Sequence, residues 1–227
     1  MRTLCSKSLF ILALFFSILG FGQNNFEAFN ETEFAINHGV SDTYKMNFAL
    51  SSRDYLYTND EFRFKVRQVQ IGHFSTYKLD LKNSISAGLM YRNRGLFEDS
   101  SNEIRVTQQY VYKTLMSTLR TGHRLRSEQR FFDHSTTFRF RYRFTIDIPL
   151  QGLKLDTGES FFVLSNEALW SLNKTAQPSV DFRISPEIGW QISDDFILAL
   201  GLTYRLENIN TTLGHVLFFN TSAALKL

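Results

Sequence analysis

The segment Thr137-Phe138-Arg139-Phe140-Arg141-Tyr142-Arg143-Phe144-Thr145-Ile146-Asp147-Ile148 alternates without a break. Each even-numbered position is aromatic or aliphatic, and each odd one is polar or charged. Successive side chains of a β-strand point to opposite faces, so the segment has one apolar and one charged face. On a helix the same residues scatter around the circumference and form no apolar stripe. The pattern recurs along most of the chain, in segments 26–37, 43–57, 61–77, 82–94, 102–113, 119–132, 136–149, 159–172, 179–192, 195–207 and 215–227. Turn-forming residues separate many of them, such as Thr58-Asn59-Asp60, Asp133-His134-Ser135, Ser193-Asp194-Asp195 and Asn208 to Gly214.

Each segment meets or exceeds the roughly 9–11 residues that a tilted strand needs to cross a bilayer. Strands of soluble domains average about 5–6. The expected fold is therefore all-β: a transmembrane, antiparallel, up-and-down β-barrel of about 10–12 strands. A secreted lipocalin-like barrel or sandwich shows the same alternation with its apolar residues inward. Strand length and the scarcity of glycine turns favour the membrane version. Bacterial single-chain barrels have even strand numbers, so eleven candidates imply that 26–37 lies outside the barrel or that one strand is missed or split. Phe62, Phe64 and Val66 share a face while Val69 and Ile71 take the other, which predicts a β-bulge between them.

The chain opens with Arg2 and Lys7, an apolar run from Leu9 to Phe21, and then polar Gln23-Asn24-Asn25. This is the layout of a signal peptide, giving a leader over 1–22 and a barrel domain over 23–227, exported to the outer membrane of a Gram-negative bacterium. The apolar run is too short for a spanning helix of about 20 residues. Cys5, the single cysteine, leaves with the leader, so the mature chain is expected to have no disulfide, thiolate metal site or cysteine nucleophile. Of 25 Lys+Arg against 22 Asp+Glu, removing Arg2 and Lys7 leaves 23 against 22. That balance gives no ground for a nucleic-acid partner.

The distribution of charge is more informative than its total. The face opposite the apolar one carries Arg120, Arg124, Arg126, Glu128 and Arg130 on one strand, Arg139, Arg141, Arg143 and Asp147 on the next, and Arg183, Glu187, Arg205 and Glu207 further on. These are the expected lumen-lining residues. With Arg63, Lys65, Arg67, Arg92, Arg94, Glu103, Arg105, Glu167 and Asp181 they make fifteen basic and seven acidic side chains, a surplus of +8. Phe138, Phe140, Tyr142, Phe144, Trp190, Leu198 and Leu200 are the expected lipid-facing residues. Two interiors fit: an ion-pair network that fills the lumen, or a small passage favouring anions, as rings of Arg do. The expected partners are outer-membrane lipid, lipopolysaccharide phosphate and small anions. No HExxH, GxSxG or phosphate-loop pattern is present, so no catalytic residue, metal or cofactor is expected. A Ser-His-acid arrangement formed only in space stays open as the weaker alternative of a membrane-embedded hydrolase.

His123-Arg124-Leu125-Arg126-Ser127-Glu128-Gln129-Arg130, Phe138 to Arg143, Asp147-Ile148-Pro149-Leu150 and Gly201 to Glu207 resemble a family of uncharacterised Bacteroidota secreted proteins, the domain-of-unknown-function family 2490. The resemblance spans most of the mature chain and implies an outer-membrane-type barrel of undetermined role. It carries no catalytic residue across. The functional expectation is a small anion-favouring channel or transport-related envelope protein. A non-conducting structural or partner-binding barrel is the alternative.

Overall fold

The computed structural model describes residues 25–95, 102–116, 118–174 and 176–227; the expected leader lies outside them. The chain forms eleven strands: β1 (Phe26–Gly39), β2 (Tyr44–Thr58), β3 (Glu61–Lys78), β4 (Asn83–Arg94), β5 (Glu103–Met116), β6 (Leu119–Phe131), β7 (Thr136–Pro149), β8 (Ser160–Asn173), β9 (Ser179–Gln191), β10 (Phe196–Glu207) and β11 (Gly214–Lys226). They close into one all-β barrel in sequence order. Each strand pairs antiparallel with its sequence neighbour, while β1 and β11 close the ring in parallel, with Phe26 opposite His215 and Asn37 opposite Lys226. This corrects the expectation of an even count. In an odd meander the last strand runs in the same direction as the first, so closure requires one parallel seam, and 26–37 is a full barrel strand.

The strand ends define two rims. β1 begins at the first rim, beside the end of β4 and the start of β5. β11 ends at the second, beside the end of β3 and the start of β4. At the first rim Asn59 and Asp60 both have positive φ (51° and 62°), as a two-residue type I′ hairpin requires. The predicted bulge is at Arg67: Arg53 pairs with Gln68, but the next residue, Asp54, pairs with Val66. The extra residue switches the phase of β3, so Phe62 and Phe64 and, after the switch, Ile71 all face outward and are exposed.

The interior is polar. Buried charged and polar residues include Gln68, Arg92, Glu103, Arg105, Thr107, Glu128, Arg130, Glu167 and Asp181, whereas exposed large apolar residues populate the outer wall. Among the described residues one inward apolar cluster forms, Phe29, Val216 and Phe218 with Tyr55 packed against it, near the first rim. Two inward rings lie flat over glycines on the paired strand, Phe74 over Gly88 and Phe161 over Gly189. A Cβ added at Gly88 or Gly189 would come within 2.4 and 2.1 Å of those rings, so glycine makes room for aromatic filling at a curved wall.

Candidate functional site

The lumen is organised by three carboxylates whose side chains are 0–2% exposed, Glu103, Glu128 and Glu167. Alternation on β5, β6 and β8 aims each inward, where arginines from neighbouring strands converge. Glu103 meets Arg92 at 3.0, Arg94 at 3.2, Arg105 at 2.6 and Arg130 at 2.7 Å. Arg105 extends to Glu128 at 3.7 Å, and Arg141 bridges Glu128 at 2.8 Å to Glu167 at 2.6 Å. Glu167 also takes Arg124 at 2.8, Arg143 at 3.2 and Arg183 at 3.6 Å. Asp181 and Arg205 pair at 2.6 Å, and Arg205 reaches Glu207 at 2.8 Å. A buried charge is tolerated when paired and hydrogen-bonded; the links from Glu103 through Glu128 to Glu167 form one continuous ladder, beside which Asp181, Arg205 and Glu207 form a second, shorter chain.

A cavity of about 700 Å³ lies against this ladder, lined by thirteen arginines and by Glu31, Glu33 and Glu207. A smaller lobe of about 310 Å³ shares Arg53, Arg143, Arg183, Glu31 and Glu33 with it and adds Glu187. The wall brings Arg124, Arg126, Arg130, Arg139, Arg141, Arg143, Arg183, Arg205 and Glu207 to the main cavity, and Glu128 lies buried among them. Arg120 and Asp147 stand apart. They pair with each other at 2.9 Å towards the second rim, with Arg120 47% exposed.

Sequence reasoning missed the carboxylates of β1. Glu31 is hydrogen-bonded by Arg53, and Glu27 lies 3.9 Å from Arg67. Phe29 falls between them on the same inward face, which interrupts the polar alternation and hides it. Counting Glu27, Glu31, Glu33, Glu103, Glu128, Glu167, Asp181, Glu187 and Glu207 gives nine carboxylates against the thirteen arginines. Among the described residues, four guanidinium charges around the cavity exceed its carboxylates. Also missed were the inward lysines of the second rim, Lys45, Lys78, Lys113 and Lys226. The signal for them was parity within uninterrupted strands.

On the outer wall Phe138, Phe140, Tyr142 and Leu200 are exposed, and Phe144, Trp190 and Leu198 are half-buried by their neighbours. His123 also faces outward, 2.9 Å from the Tyr142 hydroxyl, stacked on the Tyr142 ring with Tyr112 and Phe144 tilted against it. His73 and Ser75, two residues apart on one face of β3, meet at 3.0 Å between Nε2 and Oγ. Among the described residues, no group of His, Cys, Asp and Glu is arranged to hold a metal ion.

A closed, mostly antiparallel β-barrel with a charged interior and an apolar exterior is the class that this architecture defines. The model of the family described as "Protein of unknown function (DUF2490)" matches residues 32–214, and the chain belongs to that family. No curated protein matches it.

Proposed function

We propose that the protein is an outer-membrane β-barrel of a Gram-negative bacterium whose lumen receives small anions, with no catalytic role. One observation carries this reading: the separation of charge across a single wall. From β4 to β11 every Lys, Arg, Asp and Glu of the strands occupies an inward position. The outward positions carry large exposed apolar side chains on every strand, such as Ile104, Leu125, Phe140, Trp170, Ile188 and Leu200, where a soluble monomer exposes them singly. Strands of 12 to 18 residues are long enough to carry such a band across a bilayer. Ring closure pairs the backbone groups within the wall, as hydrocarbon demands. Inside, the surplus arginines stay charged at any physiological pH and attract anions. Flotation of the refolded protein with liposomes tests the membrane step; protein left in the dense fraction overturns it. Low-millimolar sulfate should raise the unfolding temperature above that in chloride of equal ionic strength, and Arg124→Gln/Arg143→Gln should remove the difference, which general exclusion of sulfate from protein surfaces would not. Equal stability in both would leave the alternative of a purely structural or partner-binding barrel.

A second reading, a membrane-embedded hydrolase, is favoured by the outer face of β2 and β3. The Asn47 carbonyl, 3.1 Å from His73 Nδ1, can only accept, so Nδ1 donates to it. Nε2 is then left to accept from the Ser75 hydroxyl, and the Tyr44 hydroxyl lies 2.9 Å from Ser75 Oγ. A nucleophile, a base and a group orienting that base are the parts of acyl transfer, and on this wall the substrate is a lipid ester. Labelling of Ser75 by a fluorophosphonate, lost in Ser75→Ala, would support it. Absence of labelling in folded protein would remove it.

A further inference from the structure

We propose that the lumen, as the described residues line it, is a blind cup whose mouth is the second rim and that holds one soluble solute bearing several oxyanion groups (phosphate, sulfate or carboxylate). The proposal rests on the membrane-barrel reading and goes beyond it in naming the mouth, the floor and the ligand class.

The two rims differ in how their inward positions are filled. At the first rim Phe29, Val216 and Phe218 pack together from β1 and β11. Arg53 and Arg67 lie over the Phe29 ring, their guanidinium carbons 5.9 and 4.6 Å from its centre. Around the rest of that rim Thr58, Glu103, Arg130, Ser171 and Asp181 are all buried. Phe132, just beyond β6, covers the Glu103 hub, with Arg94 and Arg130 at 5.2 and 5.3 Å from its ring centre. Among the described residues, aromatic packing and paired charges therefore narrow this end, where Arg67, Arg94 and Glu207 stay only partly exposed. At the second rim the inward residues Asn37, Lys45, Lys113, Arg120 and Lys226 are exposed. Lys45, Lys78, Lys113 and Lys226 occupy inward positions on four strands here, so the inner edge of this end carries a cationic collar inside the acidic turns that hold Asp42, Asp80, Asp194 and Asp195.

Between the collar and the narrowed end lies the floor. In register across neighbouring strands, Arg124 opposes Arg143, Arg126 opposes Arg141, and Arg183 opposes Arg205. Like charges directly opposite one another on a sheet destabilise it, and the four carboxylates that reach these six guanidinium groups, Glu128, Glu167, Asp181 and Glu207, are two short of balancing them. The Nε donors of Arg124, Arg183 and Arg205 find no acceptor among the described residues. Such unmet donors call for water or an ion.

Magnitude selects the ligand class. A cavity of about 700 Å³ lies within the roughly 300–1,000 Å³ range of metabolite sites. A water occupies about 30 Å³, so a single chloride would leave the cavity nearly all solvent. One negative charge would also offset only a quarter of the four surplus guanidinium charges. A solute with two to four negative charges meets both volume and charge, and planar guanidinium pairs are suited to oxyanions.

The test uses the full mature chain in nanodiscs, with pyrophosphate as probe. Titration calorimetry should show saturable binding near one per barrel. Arg124→Gln/Arg143→Gln should weaken it at least tenfold. Lys45→Gln/Lys113→Gln/Lys226→Gln should slow association and leave dissociation unchanged. Phosphatidic acid in the disc should not compete, because its headgroup approaches from the wall; competition would assign the oxyanion site to lipid and overturn the soluble ligand. Planar bilayers supply a readout independent of the variants. Protein that floats with liposomes yet gives no conductance steps fits a cup, whereas discrete steps in either polarity mean a through passage and overturn it. Lack of pyrophosphate binding to floating protein refutes the ligand class, while failure to float refutes the membrane reading on which it rests.

Discussion

Glu167 has four guanidinium groups within 3.6 Å and almost no contact with solvent. Glu167→Gln keeps the shape and removes the charge that holds Arg124, Arg141, Arg143 and Arg183 together. Breaking a buried pair costs about 3–5 kcal/mol, and that loss is expected in urea unfolding of the refolded protein. Arg120→Gln removes a half-exposed pair with Asp147 and should cost no more than about 1 kcal/mol. Similar side chains thus differ in consequence by the number of partners they hold. On the outer wall, Phe140→Arg should cost about 2–4 kcal/mol if the position meets lipid at mid-membrane. Refolding yield in liposomes measures it, and an unchanged yield would turn the barrel inside out. Arg141 is a bridge between two buried carboxylates, so its replacement is expected to be as damaging as that of Phe140, a ranking that strand alternation alone does not give.

Among the elements, β3 shows most directly how a local irregularity preserves a global pattern. A one-residue slip turns every side chain beyond it to the opposite face, and the bulge at Arg67 absorbs such a slip. Deleting Arg67 should therefore leave both halves of β3 correctly faced and the protein assembled. Deleting Gly201, inside the regular ladder of β10, should invert half a strand and abolish assembly; heat-modifiable mobility on gels separates the two outcomes. The turn between β3 and β4 offers a pH-dependent counterpart. The Asp80 carboxylate accepts from the Asn83 side chain and from the backbone N–H groups of Lys82 and Asn83, each at 2.7 Å. The Asn83 side-chain bond, then the two backbone bonds, hold its pKa below the usual 3.8. A depressed carboxylate pKa contributes fully above the unfolded value and loses its contribution as pH falls through the folded one. Protection of the Lys82 and Asn83 amides from exchange should accordingly fade only below about pH 4, and Asp80→Asn should remove that dependence. The alternation that made these eleven strands readable shows the facing of charges less clearly where an inward residue is apolar. Phe29 is the example: its ring faces the lumen to meet Phe218 and Tyr55, and the carboxylates beside it went unrecognised.

In the whole molecule, the wall was legible from residue order, because facing is a property of one strand at a time. The hubs were not, since Glu103, Glu128 and Glu167 collect arginines from strands brought together only by closure. Nor was the narrowed rim, which joins Phe29 near one end of the sequence to Phe218 near the other. Closure is also what the parallel seam accomplishes, and the seam has a consequence for sidedness. With eleven strands the polypeptide enters the wall at one rim and leaves it at the other. If the wall lies in a membrane, the two ends of the barrel domain have different addresses. An epitope placed just before Phe26 and one placed after Leu227 should never be cut together when protease is added to intact cells. Whichever is spared lies on the periplasmic side, and the collar of lysines faces the same compartment as Leu227.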